Sequence, residues 1–210
     1  MAQFFSIHPD NPQPRLIRQA SAIVQAGGVI VYPTDSCYAL GGHLGDKNVM
    51  SRIRVLRGVD ERHHFTLMCR DFTEISRYAK FDDTEYRLLK ACTPGCYTFI
   101  FQATREVPRR LLHPRRNTIG VRIPDHAVVQ ALLAELDEPL LSSTLILPGE
   151  EFPLNDSQEI RARLEHRVEL ILDSGACGLE MSTVVDLTGD TAVVVRQGKG
   201  SLAPFGMPNG

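Results

Sequence analysis

Small polar residues follow a run of apolar residues in the segment GGVIVYPTDSCYALGG, residues 27–42. After Pro33, the side chains of Thr34, Asp35, Ser36 and Tyr38 offer hydroxyl and carboxylate groups that can hold a ligand by hydrogen bonds. Thr, Asp and Ser also favour turns, because their side chains bond to their own backbone. The segment is therefore either a ligand-binding loop at a strand end or a structural turn.

Two arginines, Arg122 and Arg196, each end an apolar strand-like run. A buried guanidinium is costly without an anionic partner, so each arginine predicts either a bound anion or an internal carboxylate such as Asp186. We therefore consider both arginines as ligand contacts, with the internal carboxylate as the alternative.

Arginines also concentrate in two surface-like stretches. Residues 105–117 carry five arginines against the single acid Glu106, and residues 52–64 carry four arginines and a pair of histidines. Guanidinium groups bind phosphate oxygens in pairs, so either stretch could bind a nucleotide or an RNA backbone, and the alternative is a solvated surface. The residues predicted to bind RNA are Arg105, Arg109, Arg110, Arg115 and Arg116.

Composition limits the protein class. The net charge of −2 gives no overall attraction to nucleic acid, and five scattered cysteines favour reduced thiols in a cytosol. The sequence has no basic leader and no run of roughly 20 apolar residues, so we expect a cytoplasmic protein without a membrane span. No metal site is predicted at Cys92 and Cys96, which lack a second cysteine pair, or at His63 and His64, which would point to opposite faces of a strand.

Helical and strand patterns alternate along the chain, which predicts a single α/β domain whose sheet is covered on its faces. A chain of 210 residues can bury roughly 70% of its unfolded surface, so its core needs neither disulfides nor metal. The predicted helices cover residues 14–26, 83–91, 125–136 and 156–165, and the predicted strands cover 29–33, 65–69, 97–102, 118–123, 139–144, 168–173, 183–187 and 192–196.

Five segments occur together in a specific order: GGVIVYPTDSCYALG, TPGCYTFIF, TIGVRIPDHAVVQALL, STVVDLTGD and VVRQG. In this order and spacing the chain resembles the YrdC/YciO family, which includes the L-threonylcarbamoyladenylate synthases. The resemblance covers residues 14–198, which leaves residues 1–13 as an N-terminal extension and residues 199–210 as a flexible tail. It implies a twisted open sheet with a concave basic surface that binds tRNA or double-stranded RNA.

The synthases of this family convert L-threonine, bicarbonate and ATP to threonylcarbamoyl-adenylate and pyrophosphate, so these three compounds are the implied small ligands. Mg²⁺ is implied where ATP is used, with no permanently bound cofactor and no metal held by the protein alone. No catalytic residue is assigned. The residues that the matching motifs imply for substrate or nucleotide binding are Thr34, Ser36, Tyr38, Arg57, Thr98, Arg122, Thr144, Ser182, Thr183 and Arg196.

The chain departs from the synthase pattern at two motifs. Synthases carry Lys-x-Arg where this chain has Val55 and Arg57, and Ser-x-Asn where it has Thr144 and Ile146. An isoleucine side chain forms no hydrogen bond, so an ATP site built on that amide would lose it. The stretches HHFTLMCRD and VPRRLL resemble the YciO branch of the family, and we assign the chain to that branch.

Three functions follow from these residues. The first is an enzyme of threonylcarbamoyl chemistry related to the nucleotidyltransferase-like synthases, acting either as a weak synthase or in a hydrolytic or reverse direction on modified tRNA. The second is a non-catalytic RNA-binding protein, and the third is a small-nucleotide sensor or carrier. The arginines of residues 105–116 favour RNA as a partner in the first two.

Overall fold

The described part of the chain is one mixed sheet with helices on both faces. A computed structural model describes residues 1–113 and 115–206. The six α-helices of this part are α1 (Pro14–Gln25), α2 (Lys47–Arg57), α3 (Phe72–Tyr78), α4 (Asp83–Cys92), α5 (Ala127–Leu136) and α6 (Ser157–Leu164). The eleven strands are β1 (Gln3–Ser6), β2 (Ile30–Tyr32), β3 (Ala39–His43), β4 (Thr66–Met68), β5 (Ala79–Lys80), β6 (Tyr97–Ala103), β7 (Thr118–Arg122), β8 (Leu140–Thr144), β9 (Leu170–Asp173), β10 (Thr183–Asp186) and β11 (Val193–Arg196).

The strands form an open sheet in the order β1-β9-β2-β3-β8-β4-β7-β6-β10-β11, with β5 paired to β6. Strands β1, β9 and β2 run parallel, as do β4 with β7 and β6 with β10, and the other pairs are antiparallel. The predicted single-domain α/β fold with an open sheet is confirmed. No helix among the described residues is long and apolar enough to cross a membrane.

All the predicted helices and strands are present, with bounds that differ by at most two residues. The sequence patterns missed β1, β3, β5, α2 and α3. In α2, the residues Val49, Met50, Ile53 and Leu56 are buried at helical spacing, although its arginines had suggested only a charged surface. The pair His63 and His64 lies in the loop before β4, so the strand geometry assumed for it is wrong.

Two apolar clusters fix the helices to the sheet. Helices α1 and α5 pack together on one face, where Val24 and Leu132 are fully buried in the first cluster. Helices α2, α4 and α6 bury Ile53, Leu89 and Ile160 in the second cluster. Each fully buried Leu or Ile side chain contributes roughly 1.5–3 kcal/mol, so burial on both faces supplies the main stabilising term.

Strand β3 packs closely against α2 at Gly42. A Cβ added at Gly42 would overlap Val49 Cγ1 and lie 3.1 Å from the carbonyl oxygen of Gly28. We expect Gly42→Ala to lower the free energy of unfolding by about 2 kcal/mol, because the extra methyl group must displace α2 or the backbone. Urea unfolding measures this change. Gly189→Ala is the matched control, since no atom lies within 4 Å of the added Cβ, and equal loss in both variants would contradict the packing explanation.

The two terminal segments contact the sheet. In the predicted N-terminal extension, Gln3–Ser6 forms edge strand β1 beside β9. In the predicted flexible tail, residues 199–206 contact the sheet, because Leu202 is buried and two side chains of the sheet bond to the segment. Thr183 Oγ1 donates to the Gly200 carbonyl at 2.7 Å, and Tyr97 Oη donates to that of Ser201 at 3.0 Å. Residues 207–210 lie outside the described residues.

Candidate ligand-binding site

A cavity of about 530 Å³ lies over the strands on the α1/α5 side of the sheet. Its wall includes Ala39 and Met68, which also pack in the α1/α5 cluster, and it extends over β7, β6 and β10. The side chains at alternate positions of these strands, such as Thr98 and Ile100 on β6, share this face. The volume lies within the roughly 300–1,000 Å³ of small-ligand pockets.

The structure brings most of the predicted ligand-binding residues to this cavity. Three residues that the sequence grouped with them do not line the cavity. Tyr38 is fully buried in the core and donates its hydroxyl to the Gly175 carbonyl at 2.7 Å, and Thr183 is fully buried beneath the tail. Ser36 does not line the cavity either, but its Oγ accepts a hydrogen bond from Arg122, which does. The predicted residues on the wall are Thr34, Arg57, Thr98, Arg122, Thr144, Ser182 and Arg196.

The loop after β2 is a turn closed by Thr34. Its Oγ1 donates to the Cys37 carbonyl at 2.6 Å and accepts from the backbone N–H groups of Ser36 and Cys37 at 3.2 Å. The structural turn is thus present, as expected for these residue types. The same turn directs Asp35 and Ser36 towards β7, so the polar residues after Pro33 also hold part of the cavity wall.

Arg122 is held by this turn. Its Nη2 donates to Asp35 Oδ1 at 2.5 Å and its Nη1 donates to Ser36 Oγ at 3.0 Å, with both side chains of the ion pair exposed by less than a tenth. Asp35, rather than the suggested Asp186, is therefore its internal carboxylate. The Nε of Arg122 is buried without a hydrogen-bond partner among the described residues, so this part of the chain does not use all five N–H donors of the guanidinium.

Arg57 and Arg196 differ from Arg122 because neither forms an ion pair with a carboxylate of the described residues. Arg57 donates to the Ile146 carbonyl and to Ser143 Oγ, and Arg196 donates to the Ser182 carbonyl at 2.9 Å. Burial lowers the pKa of both guanidinium groups, and the charge of Arg196 lowers that of Arg57 further. The cavity wall thus carries two half-buried positive charges.

The arginine cluster of residues 105–117 lies in the connection between β6 and β7. The five predicted RNA-binding arginines are all exposed, and one of them, Arg116, lies at the cavity wall. Its Nη1 donates to Asp186 Oδ2 at 3.2 Å. Asp186 therefore pairs with an arginine of this cluster, not with Arg122 or Arg196.

Sequence reasoning missed several residues of the wall. His63 Nε2 lies 2.9 Å from Ser143 Oγ, and the rings of His64 and His113 stack with centroids 4.8 Å apart. All four residues line the cavity. No motif identified Ser143 or His113, and the histidine pair was considered only as part of the basic stretch 52–64 and as a metal site. Among the described residues, no group of three or more His, Cys, Asp or Glu could hold a metal ion.

The family model described as telomere recombination, covering Sua5, YciO and YrdC, matches residues 22–198. The chain belongs to the Sua5/YciO/YrdC family. It is 57% identical over 205 residues to the protein YciO of Escherichia coli strain K12. This match covers 98% of this chain and 100% of the relative. It is 28% identical over 178 residues to a threonylcarbamoyl-AMP synthase of Halorhodospira halophila, covering 84% and 92% of the two chains.

Solved structures of the Sua5/YciO/YrdC family share the fold. The crystal structure of Escherichia coli YciO has a TM-score of 0.94 at 56% identity and covers 98% of this chain and 100% of that one. The structure of Pyrococcus abyssi Sua5 complexed with L-threonine has a TM-score of 0.88 at 24% identity, covering 96% of this chain and 59% of that one. The greater identity to YciO than to the synthases confirms the predicted branch.

Val55 and Ile146, two residues that depart from the synthase pattern, do not line the cavity. Val55 on α2 is 70% exposed and is not part of the cavity wall. Ile146 contributes its backbone carbonyl, which accepts from Arg57 Nε at 3.0 Å. A backbone acceptor positions Arg57 whatever side chain residue 146 carries, so the loss of an amide there does not displace this arginine.

Proposed function

We propose that the cavity binds the threonylcarbamoyl-adenosine unit of tRNA and that the protein acts in threonylcarbamoyl-tRNA chemistry. The observation that carries this proposal is the pair of half-buried guanidinium groups, Arg57 and Arg196, without a carboxylate partner among the described residues. Two desolvated cations in one cavity favour an anionic ligand. The threonyl carboxylate and a nucleotide phosphate are two such anions on one molecule.

The uncharged residues of the cavity wall can contact the ureido, ribose and base groups of threonylcarbamoyl-adenosine. Hydroxyl groups of Thr34, Thr98, Thr144 and Ser182 offer donors and acceptors for the ureido and ribose groups. The stacked rings of His64 and His113 at the wall offer a flat surface against which a base can stack. Family membership supports the same ligand class, because one relative is a threonylcarbamoyl-AMP synthase and a protein of the same fold was solved with L-threonine.

A titration of N6-threonylcarbamoyladenosine 5′-monophosphate into the protein tests the proposal. We expect saturable heat of binding, and weaker binding of AMP or L-threonine alone because each supplies only part of the anionic and polar groups. Equal affinity for AMP and for the modified nucleotide would overturn the threonylcarbamoyl part of the proposal. The absence of binding by all three would overturn the ligand class.

The second candidate is synthesis of threonylcarbamoyl-adenylate from L-threonine, bicarbonate and ATP, and family membership favours it. The cavity offers no carboxylate cage for Mg²⁺ because its single acid, Asp186, is paired with Arg116. The metal would therefore have to enter with the ATP phosphates. Release of pyrophosphate that requires all three substrates would support synthesis, whereas binding of the modified nucleotide without such release would support action on preformed threonylcarbamoyl-adenosine.

We also propose that the exposed arginines between β6 and β7 bind the RNA backbone next to the cavity. Replacing Arg109, Arg110, Arg115 and Arg116 with alanine should weaken tRNA binding and reduce the slope of log K against log salt by roughly 0.9 for each lost phosphate contact. Fluorescence anisotropy at several salt concentrations measures this slope. An unchanged slope would show that the cluster is only a solvated surface, and alanine at exposed Arg15 and Arg18 of α1 is the control.

A further inference from the structure

Ser143 on β8 contacts both an imidazole and a guanidinium. Its Oγ lies 2.9 Å from His63 Nε2 and 2.7 Å from Arg57 Nη1. All three residues line the cavity, although Ser143 itself is only 6% exposed. A serine hydroxyl, a histidine and a cation therefore meet at one point of the ligand site.

The donor and acceptor roles in this group follow from chemistry. A guanidinium only donates, so Ser143 Oγ accepts from Arg57 and its own O–H proton can be donated to His63 Nε2. The donor on Oγ also stabilises negative charge on that atom. The neutral imidazole then carries its proton on Nδ1. The arrangement is that of a nucleophile with its base.

The neighbours of the group hold it in position. The His63 ring packs edge-on against Phe65, with centroids 5.4 Å apart and planes at 83°. The Nε of Arg57 is bonded to the Ile146 carbonyl at 3.0 Å. Both partners of Ser143 are thus oriented by contacts that do not involve the serine, which is the preorganisation that a catalytic group needs.

We propose that Ser143 is a nucleophile and His63 its general base, and that together they hydrolyse an acyl or carbamoyl carbonyl group bound in the cavity. The nature of the substrate rests on the proposed function, because the ureido carbonyl of threonylcarbamoyl-adenosine is a group of this class. The assignment of Ser143 and His63 as nucleophile and base depends only on their geometry. It assigns chemistry to two residues that were not among the predicted ligand-binding residues.

The reaction balances with water as the only co-reactant. Ser143 Oγ attacks the carbonyl carbon and its proton passes to His63 Nε2. The tetrahedral intermediate then expels the leaving nitrogen or oxygen, which takes the proton from His63 and leaves the acyl group on Ser143. Water attacks this ester and gives a proton to His63, and the proton returns to Ser143 Oγ as the acid is released.

His63 is neutral over the physiological pH range. The pKa of His63 is lowered to about 4, mainly by burial and in addition by the positive charges of Arg57, His64 and Arg54, against an opposite effect of Asp60. A base with this pKa is available above about pH 5 and is lost below it. The rate of reaction at Ser143 should therefore be flat from neutral pH down to about pH 5 and fall as the pH approaches 4.

Phenylmethylsulfonyl fluoride, which modifies activated serines, tests the proposal on the full chain without any tRNA. We expect modification at Ser143, located by peptide mass mapping, and turnover of 4-nitrophenyl acetate that Ser143→Ala abolishes. His63→Gln should slow both reactions about 100-fold, since an amide cannot accept the proton. Ser76→Ala is the control, because this exposed hydroxyl on α3 bonds only to the Thr73 carbonyl.

Each outcome decides the proposal. Modification of Ser143 that depends on His63 and falls below pH 5 supports it. If the natural chain shows neither modification at Ser143 nor ester turnover above that of Ser143→Ala, or if His63→Gln reacts at the natural rate, the pair is structural. Binding of the modified nucleotide, measured in the same samples, shows whether the proposed function survives such a result, and the thermal unfolding of each variant shows that it has folded.

Discussion

Arg196→Ala should weaken binding of N6-threonylcarbamoyladenosine 5′-monophosphate about 100-fold and change the free energy of unfolding by less than about 1 kcal/mol. The loss of affinity is expected because a desolvated guanidinium bonds strongly to an anion. Stability should hardly change, because among residues 1–113 and 115–206 Arg196 donates only to the Ser182 carbonyl and the Met181 sulfur. Isothermal titration calorimetry and urea unfolding measure the two quantities.

Two further variants sharpen this test. Arg196→Lys keeps a charge but loses the two-pronged donor geometry, so its affinity should lie between those of the natural chain and the alanine variant. Arg18→Ala removes an exposed arginine of α1 and is the control for a change in overall charge. Unchanged affinity in Arg196→Ala would remove this residue from the ligand site, and a loss equal to that of Arg18→Ala would reduce its role to long-range attraction.

Arg122→Ala should instead destabilise the protein, by about 3–5 kcal/mol. This substitution leaves the carboxylate of Asp35, which is only 9% exposed, without its cation, and removes the donor that holds Ser36 Oγ. The remaining contact of Asp35 Oδ2, a thiol donated by Cys96 at 3.2 Å, is too weak to compensate for the lost charge. Urea unfolding measures the loss, which should be several times that of Arg196→Ala.

A double variant shows whether the loss of stability in Arg122→Ala comes from the broken ion pair or from the lost side-chain volume. Arg122→Met with Asp35→Asn removes both charges and retains an acceptor for the Cys96 thiol, so most of the lost stability should return. Ligand affinity should stay low in the double variant, because the guanidinium is still absent. A double variant as unstable as Arg122→Ala would show that the ion pair is not the cause, and one with natural affinity would exclude Arg122 as a ligand contact.

The strands and helices found from sequence are those with continuous apolar or amphipathic patterns. Strand β3 was missed because Gly41 and Gly42, which β-propensity disfavours, are required there by the approach of Tyr32 and Val49. Strand β1 is short and half exposed at an edge, and its pairing with β9 depends on residues far along the chain. Tertiary packing determines these elements, and a local pattern cannot report it.

The candidate site was predictable where a motif coincided with the end of a strand. Arg122 and Arg196 were found in this way, whereas Tyr38 and Thr183 were assigned to the cavity because the motifs do not indicate which face a side chain takes. The contact of His63 with Ser143 joins residues 80 positions apart, and no spacing rule connects them. Asp186 was suggested as an example of an internal carboxylate for Arg122, and Asp35 was not considered, since it lies 87 positions away.

The pairing of β2 with β9 has a consequence for the growing chain on the ribosome. Ile30 lies beside Leu170, so 140 residues must be synthesised before β2 gains its parallel neighbour. At a translation rate of about 5–20 residues per second, one edge of this wholly apolar strand stays unpaired for roughly 7 to 28 s. During that time the nascent polypeptide presents an open strand edge to other chains, which makes it a natural client for chaperones that bind exposed apolar strands.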